Sequence, residues 1–290
     1  HDGSVLTAED VKASIEWAKT FSEINMYNNS VESVEVVDES TFLIHTPTPS
    51  ATLLYDLCHH GNAILSKKMI DEGNDFNENP VGTGPYKLAS WEAGQAITLE
   101  RNESYFRGKA NIQTIIFRIV PDSNAKALQL KSGELNLSQV TPKDAKTFAD
   151  SKSQTVYEMK TSDYRGILYN FANDYWKKNA DLIPAISCAI DRQAIVDAVL
   201  LGRGEVAYSP LQRNIYNDPD VERWDYDPAR AEQLLTEAGC TKDSEGFWQR
   251  SGQRIGFTIN ASPDDQVRID MAQAAAQQLR SIGLDVQAAI

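Results

Sequence analysis

The sequence predicts an α/β fold that mixes α and β elements. Three observations carry this. Helical stretches are punctuated by Asp, Ser or Thr caps and glycine stops; short runs of period two lie between them; and residues 255–290 read as strand, helix, strand. Length and composition agree. The chain has 290 residues, of which 41% are hydrophobic and 24% charged, enough for a real core and more than one average domain.

The elements follow in order. Thr7 is placed to N-cap a helix in which Asp10 completes a capping box and Val11, Ile15 and Ala18 share a face. Residues 31–37 and 41–46 alternate like two strands joined by Asp38-Glu39-Ser40. Residues 53–57 read as a short helix and Ala63-Ile64-Leu65 as a strand after a polar loop. The turn at residues 80–85 leads into the alternating Tyr86-Lys87-Leu88, and residues 96–100 and 114–120 are further strands. A helix over residues 123–132 ends at Gly133, and residues 156–159 and 166–170 read as strands flanking a loop at 161–165.

Punctuation is clearer in the second half. Pro184 opens a helix predicted to run through Ala189-Ile190 toward Leu201 and to stop at Gly202. Asp227-Pro228 is an N-cap and N1 pair, Gly239 the stop, and Ala231, Leu234, Leu235 and Ala238 the buried stripe. Ser262-Pro263-Asp264-Asp265 reads as a capping box before Val267, Met271, Ala275, Leu279 and Ile282, with Gly283 ending that helix. With strands at 255–260 and 284–290 this makes a βαβ crossover.

Net charge is −13, so nucleic-acid binding has no electrostatic footprint. An acidic surface favours cationic ligands or simply keeps the protein soluble. No apolar run is long enough to span a bilayer. Cys58, Cys188 and Cys240 lack any C-x-x-C spacing and are expected to be isolated, packed thiols, although an exported protein can pair two of them.

Chemistry candidates are few. Gly82-x-Gly84 opens onto Pro85 and a strand, whereas a phosphate cradle needs a helix N-terminus, so a turn is expected. Cys58-His59-His60 is the one dense set of soft ligands; adjacent residues point to opposite sides, so a polar loop is expected and no metal site. Asp264-Asp265 suits helix capping and dipole better than paired acid–base catalysis. Neither a Gly-x-Ser-x-Gly elbow nor a His-Glu-x-x-His helix occurs, so no catalytic residue, no cofactor and no enzymatic activity are expected.

A family resemblance runs along nearly the whole chain. His1-Asp2-Gly3 with Leu6-Thr7-Ala8 and Asp10-Val11, the Val81-Gly82-Thr83-Gly84-Pro85-Tyr86 turn, and Arg101-Asn102 with Tyr105-Phe106 come in order. So do Phe117 to Asp122, Ala127-Leu128 with Gly133-Glu134-Leu135, Tyr169-Asn170, Ala189-Ile190-Asp191-Arg192, and Tyr226-Asp227-Pro228 with Ala231, Leu234-Leu235 and Ala238-Gly239. The series resembles the family 5 extracellular solute-binding proteins. Asn136 stands where that pattern has aspartate, and Pro184 where it has a basic residue and valine nearby.

The resemblance implies a periplasmic-binding-protein-like fold of two lobes with an extra subdomain, present here as an internal part. Residues 1–82 would be the extra subdomain, 83–168 the main sheet of the first lobe and 169–290 the opening of the second. It implies an extracytoplasmic component of an ABC importer, periplasmic or a cell-surface lipoprotein tethered through an upstream cysteine. That component captures di- or oligopeptides and hands them to membrane permease subunits, as a monomer. Receptors for nickel chelates or other small solutes share the fold, and a surface peptide sensor or adhesin is the alternative from another class. The natural N-terminus is expected upstream of His1, and the acidic residue that anchors a peptide amino group beyond position 290. Ligand contacts are expected from Tyr164, Arg165, Tyr169 and Asn170 at the crossover, and from Ser262, Asp264 and Arg268 around the last helix. Arg268 would pair with a ligand carboxylate or form a surface ion pair.

Overall fold

The computed structural model describes residues 1–290, the side chain of Ser22 apart. Two compact units divide it, His1–Ile119 and Val120–Ile290.

In the first unit, α1 (Ala8–Ala18) is held at its start by Asp10. That carboxylate accepts the Thr7 N–H at 2.8 Å and the Thr7 hydroxyl at 3.1 Å. It also accepts the Lys67 N–H at 2.8 Å, so one side chain caps two helix starts. The short helices α2 (Ser22–Asn25), α3 (Leu53–Leu57) and α4 (Lys67–Asp71) accompany the hairpin of β1 (Ser33–Asp38) and β2 (Thr41–His45), with α4 and β1 packed on α1. Val11 and Ile15 of α1 bury against Val31 and Val34, giving this unit a small core. The antiparallel sheet β3 (Tyr86–Glu92), β4 (Ala96–Arg101), β5 (Thr114–Arg118) follows the glycine turn. The expected strand at Ala63-Ile64-Leu65 does not form. The Leu65 N–H donates to the Ser14 hydroxyl oxygen at 2.8 Å, so a helix side chain takes the place of a ladder partner.

The second unit opens with α5 (Ser123–Ser132), stopped by Gly133 at φ 84° as predicted and capped by the Asp122 carboxylate, which accepts the Ala125 N–H at 2.7 Å. α6 (Pro142–Phe148) and α7 (Asp174–Lys178) come next. The single helix predicted from Pro184 toward Leu201 is two: α8 (Ile183–Cys188) and α9 (Arg192–Val199). Asp191 separates them, because its carboxylate accepts the Ala194 N–H at 2.9 Å and starts a new helix. α10 (Pro228–Glu237) is capped by Asp227 and buries Ala231 and Leu235. A small sheet of β6 (Thr241–Lys242), β7 (Trp248–Arg250) and β8 (Gln253–Arg254) leads into β9 (Gly256–Asn260), α11 (Gln266–Ser281) and β10 (Asp285–Ala289). β9 and β10 are parallel, with Asp285 opposite Gly256 and Ala289 opposite Asn260, which is the predicted crossover.

Leu182, Ile186, Leu235, Leu279, Leu284 and Val286 are fully buried in one cluster that joins α8, α10, α11 and β10. Each such side chain contributes about 1.5–3 kcal/mol by leaving water. The buried Trp248 indole satisfies its N–H on the Ile282 carbonyl at 2.9 Å.

Three further expectations are corrected. Residues 156–159 and 166–170 are extended but join no sheet. Their alternation is real, since Ile167 and Tyr169 pack on the core cluster while Leu168 between them is 99% exposed. The cap of α11 is Asp265, not Ser262: its carboxylate accepts the Arg268 N–H at 3.1 Å. All three cysteines are free, as expected, but Cys58 is exposed rather than packed. No helix among the described residues is long and apolar enough to cross a membrane.

Candidate functional site

A cavity of about 2250 Å³ opens within the second unit. It is lined by the stretch from the end of α5 through α6 and the extended residues 153–167, and by α9, the loop at 202–213 and the α11 N-terminal half. β9 reaches it through Ile259 and Asn260.

Of the residues expected to touch ligand, Tyr164, Arg165, Tyr169, Ser262 and Arg268 all line this space. Asn170 and Asp264 do not. The Asn170 carboxamide oxygen accepts the Ala172 N–H at 3.0 Å and shapes a turn, while Asp264 is exposed and accepts the Ser262 hydroxyl.

The centre of the arrangement is a carboxylate that sequence reasoning saw only as a cap. Asp265 accepts from Arg165 at 2.7 Å and lies 3.2 Å from the Arg268 guanidinium, while its other oxygen caps α11. Burial pushes its carboxyl up, but the Arg268 N–H and the Arg165 guanidinium outweigh that and hold it below the usual range. Arg165 is also fixed on its far side by Asp163, at 3.1 Å. Partial burial opposes the Arg165 charge, yet the Asp265 bond prevails and its pKa is raised. Two guanidiniums are thereby aimed beside the cavity on a rigid helix terminus.

Tyr169 stands edge-on to Trp176 at 4.6 Å, and Trp176 in turn to Phe257 at 5.0 Å. Burial pushes the Tyr169 phenol up to about 12, against a small opposing effect of Arg192, so it is a neutral ring near neutral pH. Arg192 is tied to the carbonyls of Ser187 and Trp224 at 3.2 and 3.0 Å, which joins α8 to the chain before α10.

Sequence reasoning missed the wall formed by Glu158, Lys160, Arg203, Glu205 and Arg213. Arg203 pairs with Glu158 at 2.7 Å, and Glu205 takes both Arg213 at 2.8 Å and Lys160 at 3.5 Å. The Arg203–Glu158 and Lys160–Glu205 pairs each join residues 45 positions apart, and nothing in local spacing marks them. The Cys58-His59-His60 stretch lies in the first unit, where the His59 ring stacks on Tyr27 at 3.6 Å. No group of three or more metal-capable side chains gathers among the described residues.

Comparison with known proteins places this geometry. The oligopeptide-binding protein AppA of Bacillus subtilis is 33% identical over 306 residues, covering 100% of this chain and 56% of its own length. The chain thus spans about half the length of that relative. Among solved structures, AppA from Bacillus subtilis in complex with a nonapeptide superposes with a TM-score of 0.82 at 30% identity, over 100% of this chain and 60% of that one. NikZ from Campylobacter jejuni in complex with Ni(L-His) gives 0.91 at 28% identity, over 100% and 59%. The fold is therefore periplasmic-binding-protein-like. The profile of bacterial extracellular solute-binding proteins, family 5 middle part, matches residues 1–289, and the chain belongs to that family.

Proposed function

We propose that the protein is the extracytoplasmic solute-binding component of an ABC importer, that it captures di- or oligopeptides, and that it delivers them to permease subunits without chemical change. The observation that carries the peptide reading is the backbone along the cavity. Residues 155–168 run extended beside it and make no backbone–backbone hydrogen bond among the described residues. Apart from the Asp163 N–H, which donates to the Thr161 hydroxyl oxygen at 3.2 Å, these backbone groups are available to an occupant, and an extended peptide satisfies such a row by strand addition. A compact solute cannot.

Size agrees. Pockets for drug-sized ligands run to roughly 300–1,000 Å³, and this cavity is larger. The second reading, a nickel-chelate receptor, draws on the likeness to NikZ. Against it, no histidine is among the residues lining the cavity, and imidazole is the commonest nickel-suited side chain. The division into an extra subdomain at 1–82, a first-lobe sheet at 83–168 and a second lobe from 169, and action as a monomer tethered through an upstream lipidated cysteine, belong to the same proposal. So do the ligand contacts assigned to Tyr164, Arg165, Tyr169, Ser262 and Arg268.

Mass spectrometry of solute released from the natural full-length protein tests this reading. Intact peptides without a preferred side chain are expected. Release of a metal chelate with no peptide, or of peptides cut on incubation, overturns it. Uptake lost on gene deletion is expected; signalling lost with uptake intact indicates a sensor.

A further inference from the structure

The chain carries a net charge of −13, yet the wall of its cavity has the opposite sign. Seven cationic side chains line the space against three carboxylates, Glu158, Asp163 and Glu205. Adding Asp265, which ties down Arg165 and Arg268 from just outside the lining, still leaves the cations in excess.

The excess can be located. Around Asp265 the balance is even: two guanidiniums meet Asp265 and Asp163. Where residues 158–160 meet residues 203–213, three cations, Arg203, Arg213 and Lys160, share two carboxylates, Glu158 and Glu205. Lys131 adds a cation with no carboxylate partner among the described residues, and Arg192 is bound only to carbonyl oxygens. Clefts lined by one sign of charge, with low-dielectric walls, focus the field inside them and concentrate ions of opposite sign.

We propose that the cavity selects anionic peptides, with acidic side chains directed to the Lys160, Arg203 and Arg213 wall. This rests on the peptide-receptor reading above and adds the charge class of the ligand. The Arg165–Asp265–Arg268 group is balanced by Asp265 and Asp163, so it contributes fixed geometry. The excess charge comes from the Lys160, Arg203 and Arg213 cluster together with Lys131 and Arg192.

The test is calorimetric titration of the natural full-length protein with three alanine-based pentapeptides carrying two glutamates, two glutamines or two lysines, and with citrate. The glutamate peptide is expected to bind tightest and the lysine peptide weakest, each charge pair giving about a fivefold step at low salt. That spread should narrow in 1 M salt, where the Debye length falls to about 3 Å. Lys160→Glu, at a side chain 78% exposed, is expected to weaken the glutamate peptide about fivefold more than it weakens the glutamine peptide. Equal affinity for all three peptides, or tighter binding of the lysine peptide, overturns the charge preference and leaves the peptide receptor standing. Citrate binding with no peptide binding supports the charge preference and overturns the peptide reading. Absence of binding by all four overturns both.

Discussion

Asp265 shows how one residue joins folding to the site. It caps a 16-residue helix and holds two arginines beside the cavity. Asp265→Ala removes both roles, and a destabilisation of about 2 kcal/mol is expected at pH 7, the upper end for a lost cap, because the Arg165 guanidinium also loses its shorter partner. Asp265→Asn keeps a capping oxygen and loses the charge, so it should cost less. The pH dependence has a fixed sign. The folded carboxyl lies below its ordinary value of 3.8, so its stabilisation is present in full above that value and is lost as pH falls through the folded pKa. Urea denaturation of wild type and Asp265→Asn should therefore differ at pH 7 and converge in strong acid; a gap that stays constant as pH falls would sink the assignment. The sequence makes both Ser262 and Asp265 credible caps, since either side chain accepts from an N–H three residues on. The choice falls to Asp265 through Arg165, which lies 100 positions away and carries no local mark.

At the scale of elements, cap and stop chemistry was the most legible part of the chain. α1, α5, α10 and the β9–α11–β10 crossover appear close to where Thr7-Asp10, Gly133, Asp227-Gly239 and Gly283 put them. The failures share a cause. Ala63-Ile64-Leu65 and residues 156–159 and 166–170 have the period of strands, but a strand needs a partner, and alternation alone does not supply one. Gly283 offers a sharp test of a stop signal. Its φ is 96°, and an added Cβ would lie 2.4 Å from the Gly246 carbonyl oxygen, which is backbone and cannot swing aside. Gly133, at φ 84°, has open space around it. Gly133→Ala should then cost about 1–2 kcal/mol from the left-handed backbone alone. Gly283→Ala should cost clearly more, because the turn packing α11 against β7 must shift. Equal denaturation midpoints for the two variants would mean that the close approach to Gly246 relaxes freely.

For the whole molecule, the two units carry cores of different size. Four buried side chains, Val11, Ile15, Val31 and Val34, centre the first, whereas the second is built on a large cluster around Leu235, Leu279 and Val286. Burial scales the stabilisation, so the units should not melt together. The cavity belongs wholly to the second unit, and its walls are drawn from residues 130 to 275, which is why family motifs pointed to its neighbourhood and missed the Lys160, Arg203 and Arg213 side. Calorimetry on the chain is expected to resolve two transitions, the first unit melting lower. Ile15→Ala should lower only the first, and Leu279→Ala only the second, each by the effect of about 2–5 kcal/mol that such core truncations produce. Displacement of both transitions by either substitution would show instead that the two cores unfold as one cooperative body. Ligand that binds in the second unit should raise only the upper transition, since a solute stabilises the unit whose folded state holds it.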